Sequence, residues 1–294
     1  MKVALIGSNG QLGQDILKIF RQKKDLKVIP LTHKDIEVTD PNSVKKILSK
    51  YNPEVLINTA AYHKVDEAEN YAEKAFLVNA IAPKNIAELT AKKGIKIVFI
   101  STDYVFGLDE KRKKPYTETD TTGAVNVYGV SKIAGENFTL YSNPQHFVVR
   151  VSGLHGTAGS SGKGGNFVET MIRLGKEKGE VSVVNDQFLT PTYTLNIAEN
   201  LLDLITTDKF GIYHMTAEGY CSWYEFTCEI FHLLNMQVKV NPIDSSQFPT
   251  RSIRPKYSVL ENRNLKVNGL NRMNHWKENL KRYLIEKGYL VGSS

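Results

Sequence analysis

Short apolar runs alternate with segments of helical period along the first half of the chain. Val3-Ala4-Leu5-Ile6 is an apolar run stopped by Gly7, and it predicts a strand. Gln11 to Arg21 carries Leu12, Ile16, Leu17 and Phe20 at helical spacing. Lys27 to Leu31 predicts a second strand. Pro41 to Tyr51 predicts a helix, with Asp40 as N-cap and Pro41 at its first position. Strands are expected at Val55-Leu56-Ile57, Lys96 to Ile100 and Phe147-Val148-Val149. One or two helices are expected over Ala72 to Lys93, and another over Val127 to Leu140. Strands this apolar are buried on both faces. The expected fold is therefore α/β, a Rossmann-type, doubly wound parallel sheet with ligands at the carboxyl ends of its strands.

The pattern loosens after about residue 150. Gly156 to Gly165 is rich in glycine and serine. Strand pieces follow at Val181 to Val184 and Ile212 to His214. Ser222 to Leu234 is an amphipathic helix, and Pro242 to Pro255 is polar and punctuated by proline. The expected division is 1–150 for dinucleotide binding and 151–294 mainly for substrate, partly interleaved, with segments near 168–215 returning to the first part. A terminal helix, Trp276 to Lys287, is expected to show Tyr283 and Lys287 on a polar face.

Bulk properties narrow the function classes. The chain has 294 residues, 41% hydrophobic and 23% charged, enough for a sizeable core. No apolar run approaches the roughly 20 residues that span a bilayer, and the apolar start is too short for a signal peptide. A cytoplasmic protein without a membrane partner is expected. The formal net charge of +7 suits an anionic partner such as a nucleotide. The lysines are spread over helix faces, and no reading helix stands out, so nucleic acid is not expected. Cys221 and Cys228, seven apart on an expected helix, read as reduced thiols. No cluster has metal-ligand spacing.

Two features carry chemistry. Gly7-Ser8-Asn9-Gly10-Gln11-Leu12-Gly13 lies between the first strand and first helix, where glycines permit a tight turn against a pyrophosphate and the helix N-terminus offers free N–H groups. The region past it reads Leu31-Thr32-His33-Lys34. It ends in no carboxylate for a ribose and has two basic groups nearby, so NADPH is expected ahead of NADH. Tyr128 and Lys132 are one helical turn apart, so a phenol and an ammonium share a face. The ammonium is expected to lower the phenol's pKa, and the pair suggests carbonyl reduction by hydride and proton transfer. Tyr283 and Lys287 repeat the spacing, so the spacing alone decides nothing.

Further motifs stand in a familiar order: Asn58-Thr59-Ala60-Ala61-Tyr62, Val65-Asp66-Glu67-Ala68-Glu69, Val78-Asn79, Ser101-Thr102-Asp103-Tyr104-Val105-Phe106, Asp186-Gln187, Pro191-Thr192 and Arg254-Pro255. Across almost its whole length the chain resembles the extended short-chain dehydrogenase/reductases, and within them the dTDP-4-dehydrorhamnose reductases. The resemblance implies reduction of the 4-keto group of dTDP-4-dehydro-6-deoxy-L-mannose to dTDP-L-rhamnose. Tyr128 would give the proton, Lys132 would hold the nicotinamide ribose, and Thr102 would donate to the same oxygen. Asp103 would stand beside the sugar, with a turn-forming role as its alternative. Gly7, Asn9, Gly10, Gln11, Leu12, Glu37, Val38, Ala60, Ala61, Tyr62 and Asn79 fall on the cofactor side, Asn79 as much for structure as for function. Val65, Gly153, Asn166 and Arg254 fall on the substrate side, with Arg254 a candidate for the diphosphate or a plain surface arginine. Relatives give precedent for homodimers and for Mg2+ at a dimer interface, but no ligand cluster here marks a metal.

The chain also departs from that pattern. Gly153 stands where the family commonly has a tryptophan over the sugar, leaving space or admitting another group. His155 stands where an aromatic is usual, and His63 replaces a small hydroxyl residue. Lys163, in the long glycine loop, is a further candidate for phosphate. Two alternatives follow: a reductase or epimerase of another nucleotide sugar, and a non-catalytic dinucleotide-binding subunit like the regulatory subunit of methionine adenosyltransferase, which belongs to a branch of the same family.

Overall fold

The computed structural model describes residues 1–159 and 165–291; Lys163 lies outside them. In chain order the elements begin with β1 (Lys2–Ile6), α1 (Gln11–Phe20), β2 (Lys27–Leu31), α2 (Pro41–Tyr51) and β3 (Val55–Asn58). Next come α3 (Val65–Ala68), α4 (Ala72–Phe76), a π-helical turn (Leu77–Ile81) and α5 (Ala82–Ala91). β4 (Lys96–Thr102), α6 (Val127–Ser142), β5 (His146–Val151), β6 (Leu154–His155), α7 (Phe167–Lys178) and β7 (Glu180–Val184) follow. The remainder is β8 (Phe188–Leu189), β9 (Thr192–Tyr193), α8 (Thr194–Ile205), β10 (Gly211–His214), β11 (Cys221–Ser222), α9 (Trp223–Leu233), β12 (Lys239–Ile243), α10 (Arg263–Val267) and α11 (Trp276–Glu286).

Six strands form one sheet in the order β10-β5-β4-β3-β1-β2, every pair parallel. Successive side chains of a strand point to opposite faces, so each strand feeds two cores. Val3 and Leu5 join Val55, Ile57, Val98 and Ile100 under α1 and α8, while Ala4 and Ile6 join Leu56 and Ile97 under α2 and α5. A third core packs α7, α9 and α11 with β7. The order of crossovers reverses beside β1: β2 lies to one side and β3 to the other. The crevice at that reversal is where a doubly wound sheet takes its ligand.

Local signals explain most boundaries. Asp40 caps α2 by accepting from the Asn42 N–H at 2.9 Å. Ser222 and Glu225 close a reciprocal capping box at the start of α9. Pro30 is tolerated because β2 is an edge strand, and Pro242 because β12 pairs only with β7.

Two sequence expectations fail here. Cys221 lies on β11 and Cys228 on α9, so they do not share a helix. Tyr283 is fully buried, not on a polar face. Its hydroxyl donates to Glu169 Oε1 at 2.5 Å and accepts from Asn166 Nδ2 at 3.0 Å.

Candidate active site

A cleft of about 1070 Å³ opens along the carboxyl ends of the strands. One end is built by the glycine turn. Gly7 has φ +77°, open to glycine at little cost, and a Cβ there would collide with the Thr59 side chain that bonds the Ile6 carbonyl at 2.8 Å. A Cβ on Gly13 would collide with the Gly7 carbonyl. Gly10, the N-cap of α1, offers no side chain to cap the helix, so the first N–H groups are available to an anion. This cradle fits a dinucleotide pyrophosphate. Gly7, Asn9, Gly10, Gln11 and Leu12 all line it, with Ala60 and Ala61 arriving from β3.

Glu37 and Val38 line the far end. The Glu37 carboxylate accepts from Thr39 N and Oγ1 at 3.0 and 2.7 Å, contacts that hold its pKa below the usual range. Asp35 is turned onto Thr32 in the same way, at 2.8 Å from its N–H and 2.7 Å from its hydroxyl. No carboxylate therefore stands free at the end of β2, while His33 and Lys34 are exposed.

The opposite end gathers Thr102, Asp103, Tyr104, Tyr128 and Lys132. Thr102 closes β4; Tyr128 and Lys132 lie on the first two turns of α6. Asn126 caps that helix by accepting from Gly129 N at 2.8 Å. Gly129 is required because a Cβ would collide with the Tyr104 carbonyl. The Tyr104 ring stands edge-on to Tyr128, centroids 6.0 Å apart.

The electrostatics reverse the expectation for the pair. Burial pushes the Tyr128 phenol above its ordinary value, and the nearby Asp103 carboxylate acts in the same direction. Lys132, 1% exposed, is pushed down to about 7 by burial, with Glu136 acting the other way. Its Nζ donates to the Ile100 carbonyl at 2.6 Å and lies 3.9 Å from the centre of the Phe99 ring. Lys132 is not among the groups that shift Tyr128; burial sets the sign, so the phenol keeps its proton through the neutral range.

Asp103 is buried with its carboxylate turned inward. Oδ2 accepts from Ser152 and Ser258 at 2.9 and 2.6 Å, and Oδ1 accepts from Thr102 at 3.1 Å. Burial pushes its pKa up to about 6 despite these bonds. Thr102 has one hydroxyl proton, and it points at Asp103; its oxygen accepts from the Tyr104 N–H at 3.2 Å. Donation from Thr102 to a substrate oxygen requires the hydroxyl to turn away from Asp103.

Among the other expected residues, Val65, Gly153, Asn166 and Arg254 reach the cleft. The Asn166 amide is already committed: it caps α7 through Glu169 N at 3.1 Å and donates to the Gly156 carbonyl at 3.1 Å as well as to Tyr283. Tyr62 and Asn79 do not line the cleft. Asn79 instead brackets the Tyr62 backbone at 2.8 and 3.1 Å and reaches Ser131 at 3.0 Å, steadying the loop after β3. A side chain at Gly153 would start into a closed wall of the cleft. The φ of Gly153 is +53°, and a Cβ would lie 2.9 Å from Leu189 Cδ1, 3.0 Å from Pro191 Cα and 3.1 Å from the Thr190 carbonyl. Leu189, Phe167 and Trp223 line the cleft without having been expected there; only their apolar character within a polar stretch could have marked them. Among the described residues no group of acidic, histidine or cysteine side chains could hold a metal ion. None of the described helices is long and apolar enough to cross a membrane.

Residues 1–288 match the family model described as RmlD substrate binding domain. A dTDP-4-dehydrorhamnose reductase from Clostridium acetobutylicum has a similar structure, with TM-score 0.91 and 42% identity over 97% of this chain and 98% of that one. A dTDP-4-dehydrorhamnose reductase from Bacillus anthracis, solved in complex with NADP, gives TM-score 0.91 and 39% identity over 97% and 99%. The spore coat polysaccharide biosynthesis protein SpsK of Bacillus subtilis is 36% identical over 97% of this chain and 98% of its own length.

Proposed function

The chain belongs to the RmlD substrate-binding family and is an NAD(P)H-dependent oxidoreductase of the dTDP-4-dehydrorhamnose reductase type, and on that premise we propose that it reduces the 4-keto group of dTDP-4-dehydro-6-deoxy-L-mannose to give dTDP-L-rhamnose. The observation that carries this reading is the meeting of a glycine cradle and a buried, protonated tyrosine in one cleft. Gly7 to Leu12 hold the pyrophosphate, and Ala60 and Ala61 allow close approach of the backbone. When bound, the reduced nicotinamide supplies hydride to the carbonyl carbon. Tyr128 gives its proton to the carbonyl oxygen, completing the alcohol. Thr102 orients the phenol, and Asp103 positions Thr102 in turn. Lys132 meets the nicotinamide ribose. Arg254 meets the substrate diphosphate through its planar fork.

NADPH is the preferred reductant in this proposal. The tying back of Asp35 and Glu37 supports it, because both carboxylates are already committed to threonines and neither is left free to select a ribose hydroxyl. A second reading, reduction of another nucleotide 4-keto sugar, is favoured by the closed wall at Gly153 and by His63 in the cleft. The test is oxidation of NADPH and NADH in the presence of a panel of nucleotide 4-keto sugars. Turnover of the rhamnose precursor with NADPH ahead of NADH supports the first reading. Turnover of a different sugar alone supports the second, and no turnover with any member refutes both.

A further inference from the structure

Asp66 lies on α3 next to Val65, which lines the cleft, and its carboxylate faces a segment 188 residues further along the chain. Oδ2 accepts from Arg254 Nη2 at 2.7 Å, and Oδ1 accepts from the Ser252 backbone N–H at 3.0 Å. Asn126, the cap of the helix that carries Tyr128, donates to the Ile253 carbonyl at 2.9 Å. Arg254 Nη1 reaches the Tyr104 hydroxyl at 3.4 Å. Polar ties thus strap residues 252–254 to the Rossmann part of the molecule, while the Ile253 side chain remains 69% exposed. Apolar packing does little to hold this strap.

We propose that Asp66 is a positioning residue for substrate: it holds Arg254 at the place where the guanidinium meets the diphosphate of a nucleotide substrate. The inference rests on the nucleotide-sugar reading above and on Arg254 as its diphosphate contact. A free arginine side chain loses much motion when it binds an anion, and one already held by a partner loses less. The opposite role is conceivable for a carboxylate, namely competition with the diphosphate for the guanidinium. The second bond decides between them: Oδ1 is spent on the backbone of the strap itself, a contact that a competitor does not need. The pair is partly exposed, 46% at Asp66 and 23% at Arg254, so its worth lies in geometry more than in fold stability.

The test uses dTDP, thymidine and NADPH as probes, titrated calorimetrically into the full chain and its Asp66→Ala, Asp66→Asn, Asp66→Glu and Arg254→Ala variants. Asp66→Ala is expected to weaken dTDP about five- to tenfold while thymidine and NADPH stay within about twofold of the native protein. Asp66→Asn keeps an acceptor for Ser252 and is expected to fall between Ala and native, and Asp66→Glu to recover most of the loss. In turnover the substrate KM is expected to rise while kcat holds. Unchanged or tighter dTDP binding in Asp66→Ala or Asp66→Asn overturns the inference, the tighter result by making Asp66 a competitor. Parallel loss of NADPH affinity also overturns it, by reducing Asp66 to support of the fold. Arg254→Ala separates the two levels: if it leaves dTDP unaffected, the diphosphate reading of Arg254 falls too; if it weakens dTDP while Asp66→Ala does not, only the role of Asp66 falls.

Discussion

Gly153→Ala adds one methyl group to the cleft wall, and the structure sets its cost. At φ +53° an L-residue occupies the left-handed region, which disfavours it by about 1–2 kcal/mol. The new Cβ also lies 2.9 Å from Leu189 Cδ1 and 3.0 Å from Pro191 Cα, and such overpacking costs roughly 1–3 kcal/mol. The leucine tip can move aside; the proline backbone cannot. The sum is about 2–5 kcal/mol, or roughly 4–10 °C of melting temperature at about 2 °C per kcal/mol for a chain of this size. Differential scanning fluorimetry of native, Gly153→Ala and Gly153→Ala/Leu189→Ala proteins, with Leu189→Ala as control, measures it. The double variant is expected to recover the leucine overlap but not the backbone strain. A Gly153→Ala melting point within about 1 °C of native refutes the reasoning, because both the left-handed turn and the closed wall then fail to act.

Other outcomes follow from the same geometry. Asp15, 2% exposed beneath the cofactor turn and bonded to Thr194, has its pKa raised to about 6 from 3.8, chiefly by burial. A raised carboxyl pKa gives stability that is present below pH 3.8 and lost as pH rises through 6. Asp15→Asn is therefore expected to gain on the native protein between pH 4 and pH 7, by up to about 3 kcal/mol, in urea denaturation at each pH; a pH-independent difference contradicts this. Tyr283→Phe leaves Asn166 and Glu169 each short of one buried partner, an expected loss of about 1–3 kcal/mol in the same assay, with kcat within about twofold of native. A collapse of kcat in Tyr283→Phe would give the second tyrosine–lysine pair a role in the chemistry that its burial denies.

What could be read in the sequence, and what could not, divides by distance along the chain. Apolar runs of three to five residues marked the sheet because its inner strands are buried on both faces, and the glycine turn was legible because its glycines answer clashes within a few residues or with the loop after β3. β12 was hidden by Pro242, which is harmless only because that strand has a single neighbour. Asp103 read as a residue facing the sugar, yet its carboxylate is turned inward by Ser152 and Ser258, the latter 155 positions away. The Asp66–Arg254 tie was equally invisible. Tyr283 looked like surface because nothing local shows that α7 brings Asn166 and Glu169 over it. The lowered phenol pKa was inferred from one neighbour, whereas burial of the whole site sets the sign.

The proposed role of Tyr128 as proton donor in a carbonyl reduction stands or falls with Tyr128→Phe. NADPH oxidation with the nucleotide 4-keto sugar is followed beside NADPH binding by fluorescence. The expected result is a fall in kcat of at least about 100-fold with the NADPH dissociation constant within about twofold of native. A variant that still turns over at close to the native rate would contradict it.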